Sequence, residues 1–216
     1  MKELRRYGPG RKFFDTLFFP IRALFIPEDN RFGLTSLREE RFRQVAVHCR
    51  GRVLDVGCGK NNLFVKNYIG MENGVGIDVF PYEGIDLLVE DMCNLPFTDE
   101  EFDTVCLIAI GGHIPKSKRV DEFKEFARVL KPGGRLIMTE GEPVTQTLNH
   151  IWRHYSMKLV GRQSMDSERG MDEEEEYCMP FSEIMAYLNT PPFEFEKRIR
   201  FMWKLNNIYV AVKRAV

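Results

Sequence analysis

Asp55, Asp78 and His113 are the residues of this chain best spaced to do chemistry, and a pair of glycines frames the first of them. In Val53-Leu54-Asp55-Val56-Gly57-Cys58-Gly59 an apolar run meets an acid and then two glycines spaced for a tight turn. Lys60-Asn61-Asn62 then opens a helix, the arrangement by which α/β sheets cradle nucleotides. Asp78 closes a second apolar run nineteen residues after Gly59, where an acid takes ribose hydroxyls. Two ligand chemistries compete for this turn. A dinucleotide pyrophosphate needs an open helix N-terminus and usually a third glycine, at the position Asn62 holds. A carboxylate at the mouth, Asp55, repels phosphate and suits a ligand that carries an ammonium and a sulfonium. His113, in Gly111-Gly112-His113-Ile114-Pro115, carries an imidazole, a side chain that can serve as a general base. It can equally do no more than order its loop. His150 and His154 are spaced i, i+4 and could hold a metal from one helix face. No third ligand is evident, so no metal is assigned; they read as substrate-facing groups or as plain surface residues.

Around these residues, strands and helices alternate. The pattern predicts strands at 52–57, 74–79, 85–90, 102–110 and 134–140, and helices from about 61, over 117–130, over 145–160 and near 181–189. That alternation implies a parallel sheet with right-handed crossovers. Phe80 to Ile85 is too short for a crossover helix, so that connection must be a loop. The tail alternates through Phe193, Phe195, Ile199, Phe201, Ile208, Val210 and Val212. It predicts a closing antiparallel hairpin, with Asn206-Asn207 as its turn. Seven acids in 166–176 make either a solvated loop or a mobile lid. Ser36 should cap a helix reaching Arg50, with Glu39 completing a capping box and Gly51 left-handed.

With 216 residues, 44% of them hydrophobic, the chain fits one ordinary domain that needs no staples. Its five cysteines show no Cys-x-x-Cys spacing and read as reduced cytosolic thiols. No apolar run approaches the ~20 residues of a membrane span, and the first 26 residues do not read as a signal peptide.

The 53–59 segment resembles motif I of the class I S-adenosylmethionine-dependent methyltransferases, and three later segments match that family in order and spacing. Glu90-Asp91-Met92 resembles its adenine-binding acidic element. Leu95-Pro96-Phe97 with Phe102-Asp103-Thr104-Val105 resembles the loop and strand before its reaction centre. Arg128-Val129-Leu130-Lys131-Pro132-Gly133-Gly134 resembles its turn into the fifth strand. The likeness covers about 50–141 and points to the type 11-like, small-molecule branch. It implies a doubly wound, seven-stranded, mostly parallel Rossmann-like sheet at 51–216, a lid near 160–190 and a helical extension over 1–50. It implies S-adenosyl-L-methionine as cofactor. Asp55, Gly57 and Gly59 would meet its methionine portion, Asp78 with Val79 the ribose, and Asp91 and Met92 the adenine. Ile108 would line the methyl side, and His113 matches a histidine common near the transferred methyl. The family often has a third glycine where this chain has Asn61, which tolerates left-handed backbone. A binding module without catalysis and an NAD-type oxidoreductase are the rival readings.

The acceptor is expected to be a small or lipid-like molecule. Nucleic acid is not expected, because the net charge is -1 and no Asn-Pro-Pro-aromatic segment follows the fourth strand. Phe13, Phe14, Leu17, Phe18, Ile21, Leu24 and Phe25 recur at helical spacing over 12–26, with Arg11, Lys12, Asp15, Thr16 and Arg22 opposite and a break at Pro20. That helix either caps the cleft or lies shallowly in an anionic membrane surface. The protein is thus expected in the cytoplasm, with peripheral membrane contact as one option.

Overall fold

A computed structural model describes residues 9–19, 21–22, 30, 33–143, 151, 174–176 and 178–214. Seven strands form one sheet: β1 Val53–Val56, β2 Gly74–Asp78, β3 Leu87–Leu88, β4 Phe102–Ile108, β5 Leu130–Gly141, β6 Phe193–Phe201 and β7 Asn206–Lys213. Their order is β3-β2-β1-β4-β5-β7-β6, parallel from β3 through β5, with β7 antiparallel to both its neighbours. This is the doubly wound sheet expected.

Both faces of the sheet are covered, so its central strands are apolar at nearly every position. The period of two sorts them. Leu54, Val56, Val105, Leu107, Leu136 and Met138 face one layer, where Phe123 and Phe126 of α3 (Arg119–Val129) and Ile184 and Leu188 of α4 (Phe181–Leu188) pack. Val53, Cys106 and Ile137 face the other, against Phe42 and Val45 of α2 (Leu37–Ala46) and against Phe64 and Tyr68. The Phe42 and Phe64 rings sit 5.4 Å apart. The helix that belongs to the first fifty residues is therefore part of the core.

Several local expectations are corrected. Ser36 Oγ does accept from Glu39 N at 3.0 Å. The Ser36 N–H goes to Asn30 Oδ1 instead of Glu39, whose carboxylate receives the Tyr68 hydroxyl. Gly51 is left-handed as expected (φ 53°), but α2 ends at Ala46, short of Arg50. The helix after the glycine turn is split into a 3-10 turn, Lys60–Asn62, and a π-helical stretch, Val65–Ile69. Asn61 and Asn62 both take positive φ, so a regular helix cannot start there. The hairpin turn lies at 202–205, through left-handed Met202, Trp203 and Lys204. Asn206 and Asn207 are the first residues of β7, because their side chains are held by Arg41 and Arg198. In the N-terminal segment α1 spans Pro9–Leu17. Arg22, expected on its polar face, is buried with Nε donating to Thr35 O at 2.7 Å. The helix expected over 145–160, with His150 and His154, and most of the 160–190 lid fall outside the described residues. The five cysteines are free, with Cys49 Sγ 3.6 Å from Cys106 Sγ.

Candidate functional site

Strand order reverses between β1 and β4, and at such a switch point the carboxyl ends of the strands open a crevice. Asp55, one residue before the end of β1, is buried there. Its Oδ1 has no hydrogen-bond partner. Burial, followed by the charges of Asp78 and Asp86, holds its carboxyl well above the usual carboxylate range. Gly57 follows at φ +68°, and a side chain there would meet Ile110 Cγ2 at 2.8 Å. Gly59 N donates to Asp78 Oδ2 at 2.9 Å, and Phe80 N donates to Asp78 Oδ1 at 3.0 Å. The acid that closes β2 therefore already clasps the glycine turn.

The β2–β3 connection wraps the other side of that turn. Asn61 stands left-handed (φ 66°), where the family often places glycine, and its N–H donates to Glu83 O at 2.7 Å. Asn62 is fully buried. Its amide donates to Asp86 Oδ2 at 2.5 Å, and that oxygen also takes Gly76 N at 2.8 Å. Cys58, inside the turn, is no nucleophile: burial, then Asp55, Asp78 and Asp86, push its thiol far up.

Beyond β3, Asp91 is exposed with Oδ1 accepting from Cys93 N at 3.2 Å, while the Met92 side chain is buried in the core. Val79 is 47% exposed at the rim. Two of the sequence segments meet here. Arg128 sends Nη2 to Leu95 O at 3.0 Å and Nη1 to Phe97 O at 2.9 Å, and Glu125 Oε1 accepts from Leu95 N at 2.7 Å. The turn into β5 thus holds the Leu95-Pro96-Phe97 loop by a guanidinium fork.

At the end of β4, Ile108 packs toward the α2 layer, and it is Ile110 that lies against Gly57. Ala109 between them is left-handed, with φ 59°. The 3-10 turn Gly111–His113 then presents His113, whose Nδ1 lies 3.0 Å from Glu175 Oε2. The acidic segment is docked on this loop at several further points. Glu176 N donates to Gly112 O at 2.8 Å, Ser117 N donates to Glu174, and Arg119 reaches Glu176 and Glu183. Gly112 permits that approach, since a Cβ there would run into the Glu176 carbonyl.

Glu140, on β5 beneath this loop, was not singled out by sequence. It is buried and accepts from Gly112 N at 3.3 Å. Burial raises its carboxyl to about 7, against Arg41, the Cys178 thiol and the Gly112 and Gly111 N–H groups, which pull it down. The sign follows. Folded protein holds the Glu140 proton more tightly than unfolded chain, so stability falls as pH rises from the ordinary 4.5 through about 7. The full effect is about 3 kcal/mol. Glu140→Gln should flatten the pH dependence of stability across that window and gain most above it, as read by urea denaturation at a series of pH values.

A sequence model of the methyltransferase domain matches residues 54–138, from β1 through β5. Residues 54–138 thus carry a methyltransferase domain of the class I S-adenosylmethionine-dependent type. The cofactor of such a domain is S-adenosyl-L-methionine. The site fits that group: a buried carboxyl oxygen without a partner awaits a cation beside a left-handed glycine turn. Among relatives, "Probable tRNA methyltransferase 9B" of Mus musculus is 35% identical over 92 residues, 40% of this chain and 21% of that one. "Ubiquinone/menaquinone biosynthesis C-methyltransferase UbiE" of Syntrophotalea carbinolica is 30% identical over 157 residues, 65% of this chain and 63% of that one. The chain thus spans only about a fifth of the first relative's length. A crystal structure of a SAM-dependent methyltransferase from Aquifex aeolicus shares the fold at 16% identity and a TM-score of 0.54. That likeness covers 96% of this chain and 100% of that one.

The relatives correct one expectation. A tRNA methyltransferase among them makes nucleic acid a plausible acceptor, against the exclusion drawn from composition. Net charge is a sum over the molecule and does not exclude a locally basic surface. The missing Asn-Pro-Pro-aromatic segment bears only on methylation of base amino groups. Among the described residues, no three candidate metal ligands come together.

Proposed function

We propose that this methyltransferase transfers a methyl group to a small, lipid-like acceptor. The cofactor side rests on Asp55, an unpartnered buried carboxyl at the mouth of the glycine turn. Bound S-adenosylmethionine supplies a methyl group activated on a sulfonium. Asp55, Gly57 and Gly59 hold its methionine end, Asp78 with Val79 the ribose, and Asp91 with the Met92 N–H the adenine. Ile110, which lies against Gly57, lines the methyl side in place of Ile108. His113 takes the proton of an acceptor that carries one, and Glu175 at its Nδ1 orients the ring. Positioning and exclusion of water supply the rest.

The acceptor class is supported by how far each likeness extends. Similarity to the quinone-pathway enzyme runs over 157 residues, whereas that to the tRNA enzyme stays within 92. A nucleic-acid acceptor is the second reading, favoured by the higher 35% identity of that shorter match. Calorimetry should show heat with S-adenosylhomocysteine and none with NAD. Turnover is then compared on a demethylated isoprenoid quinone and on unmodified tRNA. His113→Gln should leave S-adenosylhomocysteine affinity unchanged and slow turnover roughly 10²- to 10⁴-fold. An unchanged rate removes His113 as the base, and methylation of tRNA alone reverses the choice of acceptor.

A further inference from the structure

α1 wears its apolar residues on the outside. Phe13, Phe14, Leu17 and Ile21, spaced to share one helical face, are 63%, 57%, 54% and 42% exposed. An amphipathic helix normally turns that face to a core, yet here the chain is anchored by its next residues. Phe19 is buried with its ring 5.4 Å from that of Trp203, and Arg22 is buried on Thr35. Trp203 itself is 52% exposed on the hairpin turn, with exposed Lys204 next to it.

That turn stands at the functional edge of the sheet. Glu142, just beyond β5, donates its N–H to Leu205 O at 2.9 Å, and Gly141 pairs with Asn206. The exposed apolar face and the crevice of Asp55 and Glu140 therefore belong to the same end of the strands.

We propose that α1 and Trp203 form a docking face for an anionic lipid bilayer. Charge selects this occupant. Residues 1–19 hold five Lys/Arg against two Asp/Glu, while the molecule as a whole is slightly acidic. Basic residues interleaved with Phe and Leu, with a Trp at the margin, match the acyl boundary below and the anionic headgroups around it. A second copy of this chain would bring two like-charged segments together. RNA would leave Leu17 and Ile21 without a use. The face needs no particular acceptor, so it stands apart from the choice between quinone and tRNA.

Flotation of the whole protein with vesicles of phosphatidylcholine and phosphatidylglycerol in equal parts tests it. The protein should rise with these vesicles, remain behind with phosphatidylcholine alone, and detach as salt is raised. Phe13→Glu with Phe14→Glu should cut the bound fraction roughly tenfold or more. Both rings are exposed, so this double variant should keep its melting temperature and its heat of S-adenosylhomocysteine binding. Tryptophan emission should shift to the blue on mixing with the anionic vesicles, and Trp203→Phe should remove that shift. Failure of the intact protein to float overturns the proposal. So does binding to tRNA, or dimerisation by light scattering, that the double variant abolishes while flotation is absent.

Discussion

Asp55→Asn is expected to raise the melting temperature of the ligand-free protein and to weaken S-adenosylmethionine binding by about 10- to 100-fold. Both effects come from one carboxyl. In the folded chain it is buried beside Asp78 and Asp86 with one oxygen unpartnered, and its affinity for a proton is raised. Folded protein then binds more protons than unfolded chain above the ordinary carboxylate pKa, so this residue costs stability as pH rises. An amide has no charge to bury, and the cost goes with it. The same charge is what a cationic ligand meets, and a hydrogen bond to a charged group contributes about 1.5–3 kcal/mol. Thermal melts without ligand and calorimetry with the cofactor should move in opposite directions. A variant less stable than wild type, or one that binds equally well, would show that Asp55 serves packing alone.

Arg119→Met should cost about 3 kcal/mol, near the lower end for breaking a buried ion pair. The guanidinium has no exposed surface. Its Nε donates to Ile114 O at 3.0 Å, and Nη1 lies 2.6 Å from Glu183 and 3.3 Å from Glu176. Both acids are partly exposed, at 29% and 32%, so they can find water once the arginine is gone, which keeps the loss from being larger. The second consequence is local. Without Arg119 the acidic segment loses the guanidinium that links Glu176 to Glu183 of α4, one of its several ties around the β4–α3 loop. Hydrogen exchange at the Glu176 N–H, bonded to Gly112 O, should then accelerate well beyond the global loss. Urea denaturation reads the first effect and exchange mass spectrometry the second.

What could be read in sequence followed from periodicity and from turn chemistry. The alternation of apolar runs with helical patterns located all seven strands to within a few residues, and Gly57, Gly59 and Asp78 were legible because a tight turn and a strand end demand particular residue types. What escaped depends on contacts between distant segments. Arg128 and Leu95 belong to separate motifs, and nothing in their order says that a fork joins them. Glu175 lay in a run of acids with no period, so its place at His113 could not be foreseen. Asn206-Asn207 read as a turn because Asn favours turns, and a buried network took both side chains. Glu140 had a signal that went unused: like Asp78, it is an acid near the end of an apolar strand.

The left-handed Asn61 bears on how stiff the cofactor loop is. A glycine reaches φ 66° without steric cost, but it also surrenders more conformational freedom on folding than any other residue. Asparagine narrows the unfolded chain's choices and is pinned by Glu83 O once folded. A turn built this way gives up a little local ease of geometry for less entropy lost on ordering. It should breathe less between catalytic cycles than a turn with three glycines.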